Sequence, residues 1–453
     1  MPFALMLMLL LIAFVAVLFV VFRRPMYEIM ALSLVGVVAV TGQWSSFFDY
    51  LVFPAKSSLF FTIFAFLALA AIFDATHAVS KIVNILLALV GRLSGGAGFV
   101  ALAASAFMAS LSGTGPGNVA ASGVFTIPLM KRSGFSPHLA ATTEMSASML
   151  GNIIPPAGII FLSYGIYDSF APGNLTLGSW IIASYLIGLW FVLQRIVTLV
   201  VLCKIEDVKP IPKEDVPVLK EALRDGWPAL LLPLVIFIPL LMTALPEQVL
   251  ISRLGVDGAG YFSKSVMMFT PGIAAAYAII ISRNTGSSAG SGVYGILNVL
   301  KTALPNIVPI AATIYLAYAL SQAFLGMDAN AEIRNWFISL DLSVGTLVII
   351  LPLFFCVLGM VLPGSAQVAI LGGAMISVFG ALGGDPLRLA IMLPAMTGAM
   401  EGMTPPLALG LFVAMGIAKS DFIKTSKLAL VWIASHLLMT VILLAGILPI
   451  IFL

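Results

Sequence analysis

The sequence predicts an all-α, polytopic membrane protein made of two inverted repeats, each holding a re-entrant helical hairpin and a broken transmembrane helix. Three observations carry this. Of 453 residues, 61% are hydrophobic and only 9% charged, a balance that a water-facing surface of this size cannot accommodate. Two long apolar stretches are interrupted by short runs of glycine, proline, serine and amides, first SLSGTGPGN at 110–118 and later LPGSAQ at 362–367. Finally, the basic residues orient the two stretches oppositely under the positive-inside rule.

The hydrophobic content leaves room for about ten spans of roughly 20 residues each, plus segments too short to cross. A formal net charge of +3 is small and points to no nucleic-acid partner; the implied environment is the lipid bilayer. Cys203 and Cys356 sit alone in apolar runs, so neither a disulfide framework nor a metal site follows from them. The first run, MPFALMLMLLLIAFVAVLFVVF, has no basic residues before it and is followed by Arg23 and Arg24. That order fits a first span with its N-terminus outside better than a signal peptide.

Spans are expected at 27–43 and 57–75, then an amphipathic segment near 79–92 with Lys81 and Arg92. If these residues, Lys131 and Arg132 are all cytoplasmic, residues 97–130 must leave and return to one side. They form a re-entrant hairpin with arms of about a dozen residues and SGTGPGN as its tip. HLAATTEMSASML, GN and IIPPAGIIFLSYG then read as one helix broken at Gly151 and Asn152 and by the Pro155–Pro156 pair. A span at 178–203 returns inward, with Arg195 near enough to its end to snorkel. Residues 204–226, rich in charge and proline, are expected to be a cytoplasmic linker between halves.

The second half offers spans at 227–245 and 265–282, the turn SRNTGSSAGSG, an amphipathic segment near 293–303 and a span at 305–325. Another two-armed apolar stretch follows with LPGSAQ at its apex, and another helix broken by glycine and paired proline, TGAMEGMTPPLALG. Pro116 to Pro137 is 21 residues and Pro363 to Pro386 is 23; Pro137 to Pro155 is 18 and Pro386 to Pro405 is 19. GFSPHLA aligns with GGDPLRLA, and NIIPPAG with GMTPPLALG. Lys419, Lys424 and Lys427 place the end of the second broken helix in the cytoplasm, so the second unit runs opposite to the first. This is the pattern of secondary transporters that bind at the bilayer midplane.

Non-helical backbone at that depth survives only against protein or a water-filled cavity, because each unpaired N–H or C=O in hydrocarbon costs several kcal/mol. Carbonyls and hydroxyls at helix C-termini suit a small hard cation such as sodium, and N–H groups at N-termini suit an anion. Ser112, Thr114 and Asn118 supply polar groups at the first tip, and Ser365 and Gln367 at the second. Gly151, Asn152, Thr397 and Thr404 stand at the breaks. For any single residue, close packing of small side chains between helices explains the choice equally well; the matched placement in two units favours ligand binding. Glu144 and Glu401 are carboxylates within apolar surroundings, either as cation or proton sites or as neutral hydrogen-bonded structural acids. His77, His138 and His436 have no ligand spacing.

SGTGPGNVAASGVFTIPLMKRSGFSPHLAATTEMSASMLGNIIPPAG, VLGMVLPGSAQVAI and EGMTPPLALGLFVAMGIAKSDFIKTSK resemble the large membrane subunit of tripartite ATP-independent periplasmic (TRAP) transporters. VLGMVLP and FTIPLMKRSGF resemble its TAXI-type branch, since the dicarboxylate branch has an aspartate where Pro363 stands. The resemblance covers about residues 25 to 430. It implies an elevator-type ion transporter fold and sodium-driven import of a small carboxylate-bearing organic anion across the inner membrane. The implied partners are a small four-helix membrane subunit and a periplasmic substrate-binding protein. Residues 1–96, 171–335 and 419–453 would form scaffold and closing spans, and 97–170 and 336–418 the transport domain.

The resemblance carries sodium to Ser112, Gly113, Gly151, Asn152 and Pro155 in one half, and to Pro363, Gly364, Ser365, Gly402 and Thr404 in the other, next to Pro405. No further cofactor is implied. Glu401 replaces the small or apolar residue of the family pattern, which opens a proton as an alternative coupling ion. The competing reading is a stand-alone cation- or proton-coupled organic anion permease needing no binding protein. An enzyme is disfavoured, because the membrane-embedded residues supply no nucleophile–base pair and no metal cluster.

Overall fold

The computed structural model of this chain describes residues 2–451 except 77, 113–114, 212, 245–246, 283–291, 328, 361 and 405–407. Twenty α-helices and no strand occur among them. In the first half these are α1 (Phe3–Ala16), α2 (Met26–Thr41), α3 (Phe47–Lys56), α4 (Ser58–Thr76), α5 (Ala78–Val90), α6 (Gly96–Ser112), α7 (Gly115–Arg132), α8 (Pro137–Met149), α9 (Gly158–Phe170) and α10 (Leu177–Ile205). In the second half they are α11 (Leu219–Gly226), α12 (Leu232–Ala244), α13 (Glu247–Ser282), α14 (Val293–Gly326), α15 (Ala329–Ile338), α16 (Val344–Gly359), α17 (Gly364–Ala381), α18 (Pro386–Met396), α19 (Leu409–Ala418) and α20 (Phe422–Leu444).

Seven helices among the described residues are long and apolar enough to cross a bilayer, and α3 and α4, bent by 53° at their junction, add an eighth. The number falls below ten because so much apolar sequence goes into paired or interrupted helices. One of the seven, α17, is itself a hairpin arm. The arms have 17 and 18 residues in α6 and α7, and 16 and 18 in α16 and α17. They exceed the expected dozen because the polar turns GPGN and GSAQ already belong to the helices that follow each apex.

The repeat is visible as α4 to α10 against α14 to α20: a span, a short arm, a hairpin, a broken helix and a closing span. The aligned FSPH and GDPL segments turn out to be equivalent helix caps. Ser136 Oγ accepts the Leu139 N–H at the start of α8, and Asp385 Oδ1 accepts the Leu387 N–H at the start of α18, each with proline at the first helical position. Proline there loses no intrahelical hydrogen bond and presets φ. In α8 every residue from Leu139 to Met149 is buried, since other helices enclose it on all sides. A helix so placed needs no polar face.

The units interlock. α19 packs on α7 and α8, while α9 packs on α17 and α18. Ser163 Oγ of α9 donates to the Ala390 carbonyl at 2.5 Å, and Lys131 Nζ at the end of α7 donates to the Ala418 carbonyl at 2.9 Å.

Three expectations need correction. Arg195 does not snorkel: it is fully buried. Its Nε donates to the Ser146 carbonyl at 2.9 Å, one Nη to Gln194 Oε1 at 2.9 Å and the other to His436 Nδ1 at 3.3 Å. His436 Nε2 lies 2.9 Å from the Ala395 carbonyl; a carbonyl only accepts, so Nε2 carries the proton and Nδ1 is free to accept from Arg195. The guanidinium thus faces the C-terminal turn of α8 directly and that of α18 through His436, where helix dipoles favour positive charge. Residues 204–226, the expected linker, pack against the first half. Ser94 Oγ donates to the Val208 carbonyl at 2.6 Å, the Ile211 N–H to the Gly91 carbonyl at 3.1 Å, and α11 packs on α5. Lastly, the segments at 293–303 and 305–325 are one helix, α14, with Pro305 and Pro309 inside it. Likewise α13 begins at Glu247, well before the expected 265, and bends at Gly255, whose φ of +72° suits only glycine there.

Candidate ion and substrate site

The two breaks meet at the centre. After α8 the chain makes a single 3-10 turn, Leu150–Asn152, and passes through the Pro155–Pro156 pair before α9; after α18 residues 397–403 form turns. The Asn152 side chain bridges the breaks by donating from Nδ2 to the Gly398 carbonyl at 2.5 Å. Gly398 was not singled out by sequence, since nothing there marks a carbonyl that helix termination leaves free.

Each tip closes on a break through glycine. A Cβ on Gly364, at the start of α17, would fall onto the Gly398 backbone. In the first unit, a Cβ on Gly151 would collide with Ala109 of α6. Between the units, Met149 at the end of α8 fills a socket whose wall includes Gly402; a Cβ there would strike its thioether. These glycines are needed for close approach.

A cavity of about 280 Å³ lies where the second tip meets both breaks. Asn152, Pro363, Ser365, Gly398 and Glu401 line one side, and Thr313 of α14 stands on the other, with Pro25–Tyr27 of the α2 start close by. Glu401 also lines a smaller space of about 70 Å³ that reaches Pro116 of the first tip. The Gly364 N–H at the N-terminus of α17 donates to Glu401 Oε2, so a resident carboxylate already faces a positive helix end. Four of the sequence-predicted residues, Asn152, Pro363, Ser365 and Glu401, therefore share one cavity, with Gly364 bonded to it.

The others lie elsewhere. Glu144 sits in a cage of hydroxyls within the first unit: Ser105, Ser122 and Ser148 donate to Oε1 and Thr126 to Oε2, at 2.5 to 3.0 Å. Asn118 joins that cage, donating to Ser148 Oγ at 2.8 Å and to the Ser105 carbonyl at 3.1 Å. Gln367 is fully buried, its Nε2 donating to the Leu362 carbonyl at 2.8 Å while Oε1 has no partner among the described residues. Thr397 and Thr404 donate their hydroxyl protons to carbonyls of their own turns, Leu393 and Met400, both at 2.8 Å, and keep their oxygen lone pairs. Pro155 lines a separate apolar cavity of about 230 Å³ with Ile154, Tyr185 and Phe237. Ser112 ends α6; Gly113, Thr114 and Pro405 lie outside the described residues. Among the described residues, no cluster of three His, Cys, Asp or Glu side chains could hold a metal.

Residues 1–449 match the profile of the DctM component of tripartite ATP-independent periplasmic transporters. The C4-dicarboxylate TRAP transporter large permease protein of Vibrio cholerae is 27% identical over 404 residues, covering 83% of this chain and 82% of that one. The isethionate TRAP transporter permease protein DctMQ of Oleidesulfovibrio alaskensis is 25% identical, covering 92% of this chain and 62% of that longer one. Among solved structures, the Neisseria gonorrhoeae MtrF transporter superposes with a TM-score of 0.64 at 15% identity, over 90% of this chain and 85% of that one. The fold is shared at that distance; neither of the two TRAP relatives is named for the TAXI-type branch.

Proposed function

This chain belongs to the DctM family, the large permease component of tripartite ATP-independent periplasmic transporters, and on that premise we propose that it imports a small carboxylate-bearing organic anion, driven by a sodium gradient. It is a multi-pass inner-membrane transport protein and not an enzyme. The observation that carries the proposal is the central cavity, where a hairpin tip and two helix breaks offer both kinds of helix end to one space. The N-terminus of α17 and the Ser365 hydroxyl suit a carboxylate, and the carbonyl-rich ends of α8 and α18 suit sodium.

The cavity lies between the interlocked units and α14. It is the boundary expected if residues 97–170 and 336–418 move as one elevator body against a scaffold drawn from 1–96 and 171–335. Pro25–Tyr27 follow the basic pair Arg23–Arg24, which the positive-inside rule assigns to the cytoplasm, so the site in this state is read as nearer the inner face. Substrate delivery by a periplasmic binding protein, and a small membrane subunit packed on the scaffold, belong to the same proposal. The DctMQ relative, longer than this chain, supports the second of these.

The test is uptake of a panel of labelled organic acids into proteoliposomes, with and without an inward sodium gradient. Sodium-driven uptake that requires a co-encoded binding protein and small subunit is the expected result. Uptake by this chain alone would favour the stand-alone permease, and uptake indifferent to sodium would remove the coupling ion from the proposal.

A further inference from the structure

The central cavity is oddly charged for an anion site. Among the described residues lining it, Glu401 is the one charged side chain, and the buried Arg195 of α10 does not line it and directs its donors to Ser146, Gln194 and His436. The Glu401 carboxylate has one hydrogen-bond donor among the described residues, the Gly364 N–H. Glu144 has four hydroxyls around it. Glu401 is partly open to the cavity while Glu144 is wholly enclosed.

A substrate carboxylate entering this space would meet a like charge. Two unit charges about 6 Å apart at an effective dielectric of about 20 repel enough to weaken binding roughly a hundredfold. No cationic side chain stands on the described cavity wall, and the α17 N-terminus supplies only about half a positive charge, so the rest of the cancelling charge must arrive with the substrate. Position also matters. Glu401 stands four residues before its paired prolines, where the first repeat has Gly151, and its partner Gly364 is the residue on which the second tip closes over Gly398. A cation at Glu401 therefore bears on both the charge of the site and the contact that shuts the tip.

Resting on the transport reading above, we propose that Glu401 binds one small inorganic cation, sodium or a proton, in each transport cycle. The ion neutralises the carboxylate as the substrate anion enters and leaves with it on the cytoplasmic side. Because linkage is reciprocal, the same charge that admits the substrate makes the substrate raise the affinity for the cation. The two sources of positive charge share this chemistry and are separated by experiment.

Proteoliposomes holding the complete transporter, with small subunit and binding protein, are held at zero membrane potential by equal potassium and valinomycin. Steady-state accumulation of a transported acid is measured under a tenfold sodium gradient at equal pH, and under a tenfold proton gradient at equal sodium. Glu401→Gln, having lost one coupled ion, is expected to give an accumulation ratio about tenfold below wild type in the arm that carries that ion. Glu401→Asp keeps the wild-type ratio with a higher half-saturating cation concentration. Equal ratios for wild type and Glu401→Gln in both arms would overturn the proposal, as expected if the cancelling charge is part of the substrate.

If Glu401→Gln carries nothing, the purified complex decides the matter. Its melting temperature should rise with sodium at fixed ionic strength, or with falling pH, less than that of wild type, and an identical rise would overturn the assignment. A wild-type complex that accumulates no acid in either arm would instead remove the transport reading on which the proposal rests.

Discussion

Glu144 lies on α8 in the first repeat and Glu401 in the break after α18 in the second, and their surroundings differ in kind. Around Glu144, three serines and a threonine from α6, α7 and α8 bring four hydroxyl protons to two carboxylate oxygens, with Asn118 tying the cage together. Both carboxylate oxygens accept, three donors meeting Oε1 and one Oε2, and all four donors come from the first unit. Glu401 receives one backbone N–H from a different element, the second tip, and faces a cavity with the rest of its surface. From sequence the two carboxylates had the same alternatives open. The comparison teaches that a carboxylate in a membrane is read by its donors and its access to a cavity, more than by its burial.

The largest effect that tests this contrast is expected from Gly364→Val. Its side chain would be driven into the Gly398 backbone, holding the second tip away from the break. We expect uptake per molecule in the membrane to fall at least about a hundredfold, as misplacement of a site by an ångström can do. Uptake within twofold of wild type would mean that tip closure is dispensable.

Next comes Glu144→Gln, which turns one acceptor into a donor facing hydroxyls. An unsatisfied buried donor costs about 1–3 kcal/mol, and the melting temperature in detergent should fall by several degrees while the ion-dependent accumulation ratio stays at its wild-type value. A changed ratio at unchanged stability would make Glu144 a coupling group and erase the contrast with Glu401.

A smaller effect is expected from Asn152→Ala, which removes the bond to the Gly398 carbonyl and one polar group from the cavity wall. Loss of about 1–2 kcal/mol should appear as a KM raised about five- to thirtyfold, with a smaller change in the maximal rate. An unaltered KM would detach the first break from the site. The smallest belongs to Thr404→Val, whose hydroxyl is used within its own turn. Stability and sodium activation should both stay close to wild type, and a marked loss of sodium activation would make Thr404 an ion ligand.

Much of the architecture could be read from the residues. The two apices, the two breaks and their opposed directions follow from SGTGPGN, LPGSAQ, the Asn152 and Gly402 turns and the lysines after α19, because hydrocarbon admits interrupted backbone only at special places. The aligned GFSPHLA and GGDPLRLA were legible as equivalents, while their roles as caps at Ser136 and Asp385 came from the structure. Arg195 was misplaced because sequence distance from a helix end says nothing about which helices surround it. α14 and α13 were cut short because proline or charge within a long membrane helix resembles an end.

By itself, then, the sequence determined the solvent, the repeat and where the chain must break, since each of these depends on local composition and on charge at the membrane surfaces. Only the tertiary structure decided which polar residues share a space. It sent Asn118 and Glu144 into one closed cage and left Gln367, Thr397 and Thr404 to local carbonyls, and it gathered Asn152, Ser365 and Glu401 around one cavity. The reason is physical: a side chain's role in a low-dielectric interior is set by the donors and charges within a few ångströms of it, and in this fold those come from separate parts of the chain, 37 residues apart for Glu401 and Gly364 and 246 apart for Asn152 and Gly398.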